Sequence, residues 1–155
     1  MYRAEGSATT SRLFYLASKS FGKGSDFTPT PDDAGGKIIQ LDPATNTVLK
    51  TIALNWDQHP IRLNINGNKD RLYFLLGSSA YTGSIYSMSI SDNSLPGTPV
   101  VNREFYSLGV HPASSILYAG KSSFASNTHY LRYTMNGSII DSTLAGIGPN
   151  SFVFN

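Results

Sequence analysis

The chain has 155 residues, of which 40% are hydrophobic and 14% charged, with a formal charge of +2 and no cysteine. That length suits one compact domain, and the apolar content is too high for a disordered chain. The composition excludes disulfides and thiolate metal sites, and the thinly spread basic residues indicate no nucleic-acid partner.

The balance of residue types favours strands over helices. Only two glutamates, Glu5 and Glu104, stand against 21 serines, 14 glycines, 11 asparagines and 8 prolines. Glutamate is a good helix former, whereas glycine, asparagine, serine and proline favour turns. Nine tyrosines and eight phenylalanines suit the faces of strands. The composition therefore predicts an all-β chain.

Apolar strands recur along the chain in two sets. The first set comprises 12–16, 71–75 and 116–119, and the second comprises 36–42, 83–89 and 128–134. Members of the second set begin 47 and 45 residues apart. The first two members of the first set are further apart, and an insertion around 21–35 explains this wider spacing. A repeat of about 45 residues is the size of a β-propeller blade.

The best-preserved unit contains four short strands. It runs through 61–65, 72–76, 84–90 and 100–106, with turns at 66–68 and 92–93. Alternation in 85–90 has a period of two residues, which indicates a strand. We therefore predict a partial β-propeller over 1–155, with about three four-stranded antiparallel blades. The predicted units are approximately 12–59, 60–111 and 112–155.

Three blades are too few to close a ring, because propellers run from about four to eight blades. Leu13–Ala17 looks like a second strand with no convincing first strand before it, and 149–154 looks like a first strand with no blade behind it. We expect the C-terminal strand 149–154 to close onto the first blade of a complete seven-bladed ring. The alternative is that copies of the chain associate with one another.

Several runs resemble a known family of propellers. Residues 36–52 read G-K-I-I-Q-L-D-P-A-T-N-T-V-L-K-T-I, which is similar to the signature of YncE-like seven-bladed propellers. Runs in 85–91, 95–99, 105–112 and 148–154 resemble the C-terminal half of surface-layer-type propeller lipoproteins of Bacteroides-like bacteria. The sequence departs from that family because it lacks the signal peptide, the lipidated cysteine and about half of the ring.

The resemblance implies a location and partners. Proteins of this kind are exported, lipid-anchored at the outer membrane and exposed at the cell surface. They are often associated with TonB-dependent transporters, and one branch captures cobalamin. These properties rest on the resemblance alone.

Connection lengths separate two ends of the predicted blades. Short turns at 42–46, 66–68, 92–93 and 136–137 alternate with longer connections at 21–35, 55–59, 78–82 and 122–128. Alternate connections of a meander lie at the same end, and binding residues concentrate on irregular loops. The predicted ligand-binding residues of the long-loop end are Phe21, Lys23, Phe27, Trp56, Asp57, Gln58, His59, Tyr81, Phe124 and Asn127. Aromatic rings with amides suit a flat, partly apolar ligand or a glycan.

Packing offers an alternative role for several of these aromatic and histidine residues. Trp56 could fill the space between two blades instead of binding a ligand. The strand aromatics are predicted to pack in the core; they are Phe14, Tyr15, Tyr73, Phe74 and Tyr118. His59 and His111 each precede a proline, at positions that the repeat suggests are equivalent. That equivalence favours a structural role, with convergence on a metal as the alternative.

No pattern of residues points to catalysis. The run 64–70 alternates oxygen ligands like a calcium loop, but its glycine comes too early and the closing glutamate is missing, so a turn is predicted. We predict no catalytic residue, no metal ligand and no cofactor. The expected function is a non-enzymatic cell-surface propeller that captures a small ligand, cobalamin-like or a glycan, or docks on an outer-membrane transporter. Two alternatives remain open: a lactonase or lyase with an axial divalent metal, and a structural protein-interaction propeller.

Overall fold

The computed structural model describes residues 2–5, 12–17, 35–55, 57–77, 81–121, 123 and 125–155, the first of these ranges as backbone alone. These residues form twelve strands, and no helix occurs among them. Sheet 1 contains β1 (Tyr2–Glu5), β2 (Leu13–Ala17), β3 (Lys37–Asp42) and β4 (Thr47–Ala53). Sheet 2 contains β5 (His59–Ile65), β6 (Arg71–Gly77), β7 (Gly83–Ser89) and β8 (Val101–Phe105). Sheet 3 contains β9 (Ser107–Val110), β10 (Leu117–Gly120), β11 (Thr128–Tyr133) and β12 (Ile139–Ala145).

Each sheet is an antiparallel meander whose strands pair in chain order. In sheet 2, for example, Leu75 pairs with Ile61 of β5 on one side and with Ile85 of β7 on the other. The all-β class and the four-stranded antiparallel units predicted from the sequence are therefore confirmed. No described segment is a helix long and apolar enough to cross a lipid bilayer.

One expectation about the ends of the repeat is corrected. Sheet 1 has a first strand, because Tyr2–Glu5 pairs with Leu13–Ala17. The sequence hid this strand because Tyr-Arg-Ala-Glu lacks apolar alternation. Residues 149–154 join no ladder of backbone hydrogen bonds with a described strand, and their closure onto a blade of a complete ring stays a prediction.

Sheet 2 packs one face against sheet 1. Phe74, Leu72 and Met88 from sheet 2 meet Phe14 and Ile38 from sheet 1 in a continuous apolar cluster. All five of these side chains are almost completely excluded from solvent. The core roles predicted for two of the strand aromatics, Phe14 and Phe74, are thereby confirmed.

The opposite face of sheet 2 packs against sheet 3. Tyr73, Leu75 and Phe105 from sheet 2 join Leu117 and Leu131 from sheet 3 in a second apolar cluster. Because successive residues of β6 enter opposite layers, the whole run from Leu72 to Leu76 is buried. Sheet 2 is thus the middle layer of the three. Tyr118, on the far face of sheet 3, is only partly buried.

The first strands of the three sheets are neighbours, with β1 against β5 and β5 against β9. Arg62 Nε on β5 donates a hydrogen bond to the carbonyl of Tyr106 at 3.1 Å, just before β9. One unit further along, Ser107 Oγ on β9 donates to the carbonyl of Pro149 at 2.6 Å. Residues 149–154 therefore follow β9 in space as β9 follows β5.

Arg62 links all three of these segments. The register of β5 shifts between Ile61 and Asn64, and Arg62 lies in this bulge with φ of 59°, in the left-handed region. Its guanidinium lies 5.3 Å from the ring centre of Tyr106 and donates to the side-chain oxygen of Asn150. The bulge directs this side chain across β9 toward the C-terminal segment.

The meanders place their connections at two ends. The turn end carries the connections 43–46, 66–70, 90–100, 111–116 and 134–138. The loop end carries the described connecting residues 35–36, 54–55, 57–58, 81–82, 106, 121, 123 and 125–127. The predicted separation by length has exceptions, since 90–100 and 111–116 at the turn end are longer than the connection between β4 and β5, and Tyr106 alone joins β8 to β9 at the loop end.

Candidate functional site

Half of the predicted ligand-binding residues lie outside the described part of the chain. These are Phe21, Lys23, Phe27, Trp56 and Phe124. The other five are Asp57, Gln58, His59, Tyr81 and Asn127, and all of them lie at the loop end. Their part in ligand binding stays a prediction.

The described members of this set differ in exposure. Asp57 and Asn127 are exposed, and Tyr81 exposes 56% of its surface. Gln58 is partly exposed, and its Oε1 accepts a hydrogen bond of 3.1 Å from the backbone nitrogen of Asn55. His59, expected at the surface of this end, is instead fully buried at the first position of β5.

The predicted equivalence of His59 and His111 is wrong. His59 begins the first strand of sheet 2, whereas His111 follows the first strand of sheet 3. The structural counterpart of His111 is Asn66, because each comes directly after a first strand. The backbone nitrogen of His111 donates to Ile116, as that of Asn66 donates to Arg71. The proline that follows each histidine suggests that the two positions are equivalent, but their positions relative to the strands show that they are not.

A cleft of about 390 Å³ opens at the loop end between sheets 2 and 3. It is lined by Thr82, Arg103, Glu104 and Lys121. The last three side chains are exposed, and two of them project from β8. This cleft offers charges of both signs at the end where ligand capture was predicted.

A second cleft, of about 540 Å³, opens at the turn end between the same two sheets. Its lining residues come from two turns, two strands and the connection 90–100; they are Asn66, Asn68, Asp70, Arg71, Tyr73, Ser87, Pro99, Val100, Met135 and Asn136. Three of the polar members, Asn66, Tyr73 and Ser87, are buried. We call it the turn-end cleft.

Buried asparagine Asn66 organises one wall of the turn-end cleft. Its Oδ1 accepts hydrogen bonds from the backbone nitrogens of Asp70 at 3.1 Å and Arg71 at 3.0 Å. Its Nδ2 donates to Asp70 Oδ1 at 2.7 Å. The turn predicted at 66–68 is confirmed, and these contacts leave the side-chain oxygen of Asn66 engaged with backbone rather than with a cation.

Neighbouring turns from sheets 2 and 3 are locked together beside this wall. The backbone nitrogen of Gly67 donates to Ser115 Oγ at 3.2 Å. A Cβ atom at Gly67 would lie 2.0 Å from the carbonyl oxygen of Pro112, so only glycine fits this approach. The turns 66–70 and 111–116 therefore pack closely together beside the turn-end cleft.

Tyr73 lies at the floor of the turn-end cleft. Burial raises the pKa of its hydroxyl, the positive charge of Arg71 lowers that pKa, and the negative charge of Asp70 raises it. The hydroxyl therefore stays protonated near neutral pH, and it donates to the carbonyl of Met135 at 3.3 Å. Tyr73 thus ties β6 to the turn between β11 and β12.

No motif in the sequence indicates the turn-end cleft. Asp70 belongs to the run 64–70 that predicts a turn, Arg71 begins the predicted strand 71–75, and Asn136 lies in another repeat unit. The one signal available was the run 95–99, Leu-Pro-Gly-Thr-Pro, which is too long for a tight hairpin and supplies part of the wall.

Within the described ranges, no three side chains of histidine, aspartate or glutamate come together in a way that could hold a metal ion. Neither the scan against protein-family models nor the search of curated proteins finds a match for this chain.

Proposed function

We propose that the three sheets are blades of a β-propeller of the YncE-like kind, and that the chain serves as a non-enzymatic binding scaffold at the cell surface. The observation that carries this proposal is the repeated relation between first strands. Arg62 reaches the carbonyl of Tyr106, and Ser107 reaches the carbonyl of Pro149 one unit later. Radial repetition of four-stranded meanders around neighbouring first strands is the architecture of a propeller.

The two outer faces of the stack support further packing. On sheet 1, partly buried Leu13, Ile39 and Leu41 lie on the face opposite to Phe14 and Ile38. A face that looks to water usually carries polar residues at such positions. We infer that additional sheets cover this face, either from a longer polypeptide or from another copy.

The outer face of sheet 3 is already covered in part by the C-terminal segment. The ring of Phe152 lies 5.7 Å from that of Tyr118 and 5.9 Å from that of Tyr130. The ring of Phe154 lies 5.1 Å from that of Tyr118 and 5.0 Å from that of His111. This aromatic packing is what a first strand of a further blade would make.

The loop end is the proposed site of ligand capture. Tyr81, Asp57 and Asn127 are exposed residues of three different connections at this end. An exposed ring can stack on a flat ligand while amides orient it. A cobalamin-like molecule and a glycan both have such faces, and the resemblance to surface lipoproteins favours ligands of these two classes.

A titration with cyanocobalamin and, separately, with maltoheptaose tests this function. We expect saturable binding of one of the two by isothermal titration calorimetry, and a loss of at least about tenfold in Tyr81→Ala. Val48→Ala removes an equally exposed apolar side chain from sheet 1 and is the matched control. Unchanged affinity in Tyr81→Ala, or no binding of either probe, would contradict the assignment.

A further inference from the structure

Arg71 brings a positive charge to the turn-end cleft. It is exposed at the start of β6, and its Nη1 donates a hydrogen bond of 3.2 Å to Ser87 Oγ on β7. A guanidinium has five N–H donors arranged in a planar fork. Among the described residues no carboxylate forms an ion pair with Arg71. Most of its donors therefore remain for a ligand.

Asp70 brings a hydrogen-bond acceptor to the same cleft. Asn66, which is 4% exposed, donates to its Oδ1, and no group in the described ranges donates to its Oδ2. The backbone nitrogens of Asp70 and Arg71 both donate to Asn66 Oδ1. The side chains of Asp70 and Arg71 thus extend from adjacent backbone positions that the buried side chain of Asn66 holds in place. This reduces the conformational entropy that is lost when a ligand binds.

The remaining walls give the cleft apolar area and volume. Pro99 and Val100 are partly buried, and Met135 exposes 44% of its surface. The volume of about 540 Å³ falls within the range of roughly 300–1,000 Å³ that small-molecule sites occupy. A ligand of sugar size fits this space.

We propose that the turn-end cleft binds a small monoanionic hydroxy-carboxylate of the sugar-acid class, with its carboxylate on the Arg71 fork and a hydroxyl on Asp70. The planar guanidinium matches a carboxylate through two parallel hydrogen bonds. The carboxylate oxygens of Asp70 are hydrogen-bond acceptors, so they favour a ligand that carries hydroxyl donors.

Charge argues against the other ligand classes. A metal cation would face the guanidinium of Arg71, and a dianionic phosphate would bring two negative charges beside Asp70. One negative charge with neighbouring hydroxyl groups fits both residues. This site lies at the opposite end from the loop-end site of the proposed function, so either site can fail while the other stands.

Titration of the 155-residue chain with D-glucuronate tests the site. We expect saturable chemical-shift changes in the backbone amides of 66–71 and 135–137, with a dissociation constant in the millimolar range. D-glucose, which has the hydroxyls without the carboxylate, is expected to bind at least about tenfold more weakly, as is D-glucuronate to Arg71→Gln. Arg71→Lys keeps the charge without the fork, and we expect an intermediate affinity.

Lys37→Gln is the control, because it removes an exposed positive charge from sheet 1 at a residue that lines neither cleft. It is expected to bind D-glucuronate as the unsubstituted chain does. The thermal unfolding midpoint of each Arg71 variant checks that the fold is kept. The proposal is overturned if D-glucuronate causes no saturable shift, if Arg71→Gln or D-glucose binds equally well, or if inorganic phosphate binds more tightly than D-glucuronate.

Discussion

The two clefts lie at opposite ends of sheets 2 and 3, and they differ in how their polar groups are held. At the turn end, Asn66 and Ser87 are buried and hydrogen-bonded to the residues that they position. At the loop end, Arg103, Glu104 and Lys121 are exposed. In this molecule, regular turns thus hold polar groups in a more preorganised arrangement than the longer connections do. Long loops remain the usual place for adaptable binding.

The largest expected effect comes from a substitution in the apolar core between sheets 2 and 3. Phe105 is fully buried, and its ring lies 5.9 Å from that of Tyr133 in an edge-on contact. Phe105→Ala should lower the free energy of unfolding by about 3–5 kcal/mol, because a cavity replaces the ring. Urea denaturation measures it. A loss of unfolding free energy below about 1 kcal/mol would contradict this role of Phe105 in the core.

A smaller effect should be confined to the turn end. Gly137 has φ of +87°, and a Cβ atom there would lie 2.2 Å from the carbonyl oxygen of Val100. Gly137→Ala should therefore destabilise the chain by about 1–3 kcal/mol. Gly97→Ala, in the same region but with open space around it, is the control. Equal thermal shifts in the two variants would contradict the close approach.

The polar groups of the two ends can be compared directly. Asn66→Ala leaves two backbone N–H groups without their acceptor and should reduce the free energy of unfolding by about 1–3 kcal/mol. Gln58→Ala removes one acceptor from a partly exposed loop-end connection and should stay within about 0.5 kcal/mol. Chemical denaturation of both variants decides the matter. Equal losses would remove the distinction between the ends.

The smallest expected effect lies outside both clefts. Arg132 on β11 is hydrogen-bonded to Asp141 on β12, and this contact holds the pKa of Asp141 below its ordinary value of 3.8. The folded chain thus favours the ionised carboxylate. Its contribution to stability is present above pH 3.8 and is lost as the pH falls through the lowered pKa. Thermal unfolding at acid pH should show a decline that is slightly smaller in Asp141→Asn. An identical acid decline in that variant would contradict the assignment.

Much of the fold could be predicted from the sequence, because repeated apolar runs such as 71–75 specify strands wherever they occur. Tyr2–Glu5 escaped notice because pairing with β2, rather than its own apolar pattern, makes it a strand. The counterpart of His111 was misassigned because the dipeptide with proline recurs at different strand positions. Local motifs therefore predicted elements better than they predicted equivalence.

The turn-end cleft could not be predicted because its residues come together only through packing between sheets. Asp70 and Arg71 belong to one unit and Asn136 to the next. Their proximity depends on the contact of Tyr73 with the carbonyl of Met135 and on the length of the connection 90–100. Neither is visible in a single repeat. The loop-end predictions rested on connection length, which says little about which side chains are exposed.

Sedimentation equilibrium of the 155-residue chain tests the central claim most directly, namely that the sheets are blades whose outer faces pack on further sheets. We predict a concentration-dependent rise in mass above that of one chain. Ile39→Lys, which places a charge on the outer face of sheet 1, should weaken that association. A single species with the mass of one chain at every concentration would contradict the account.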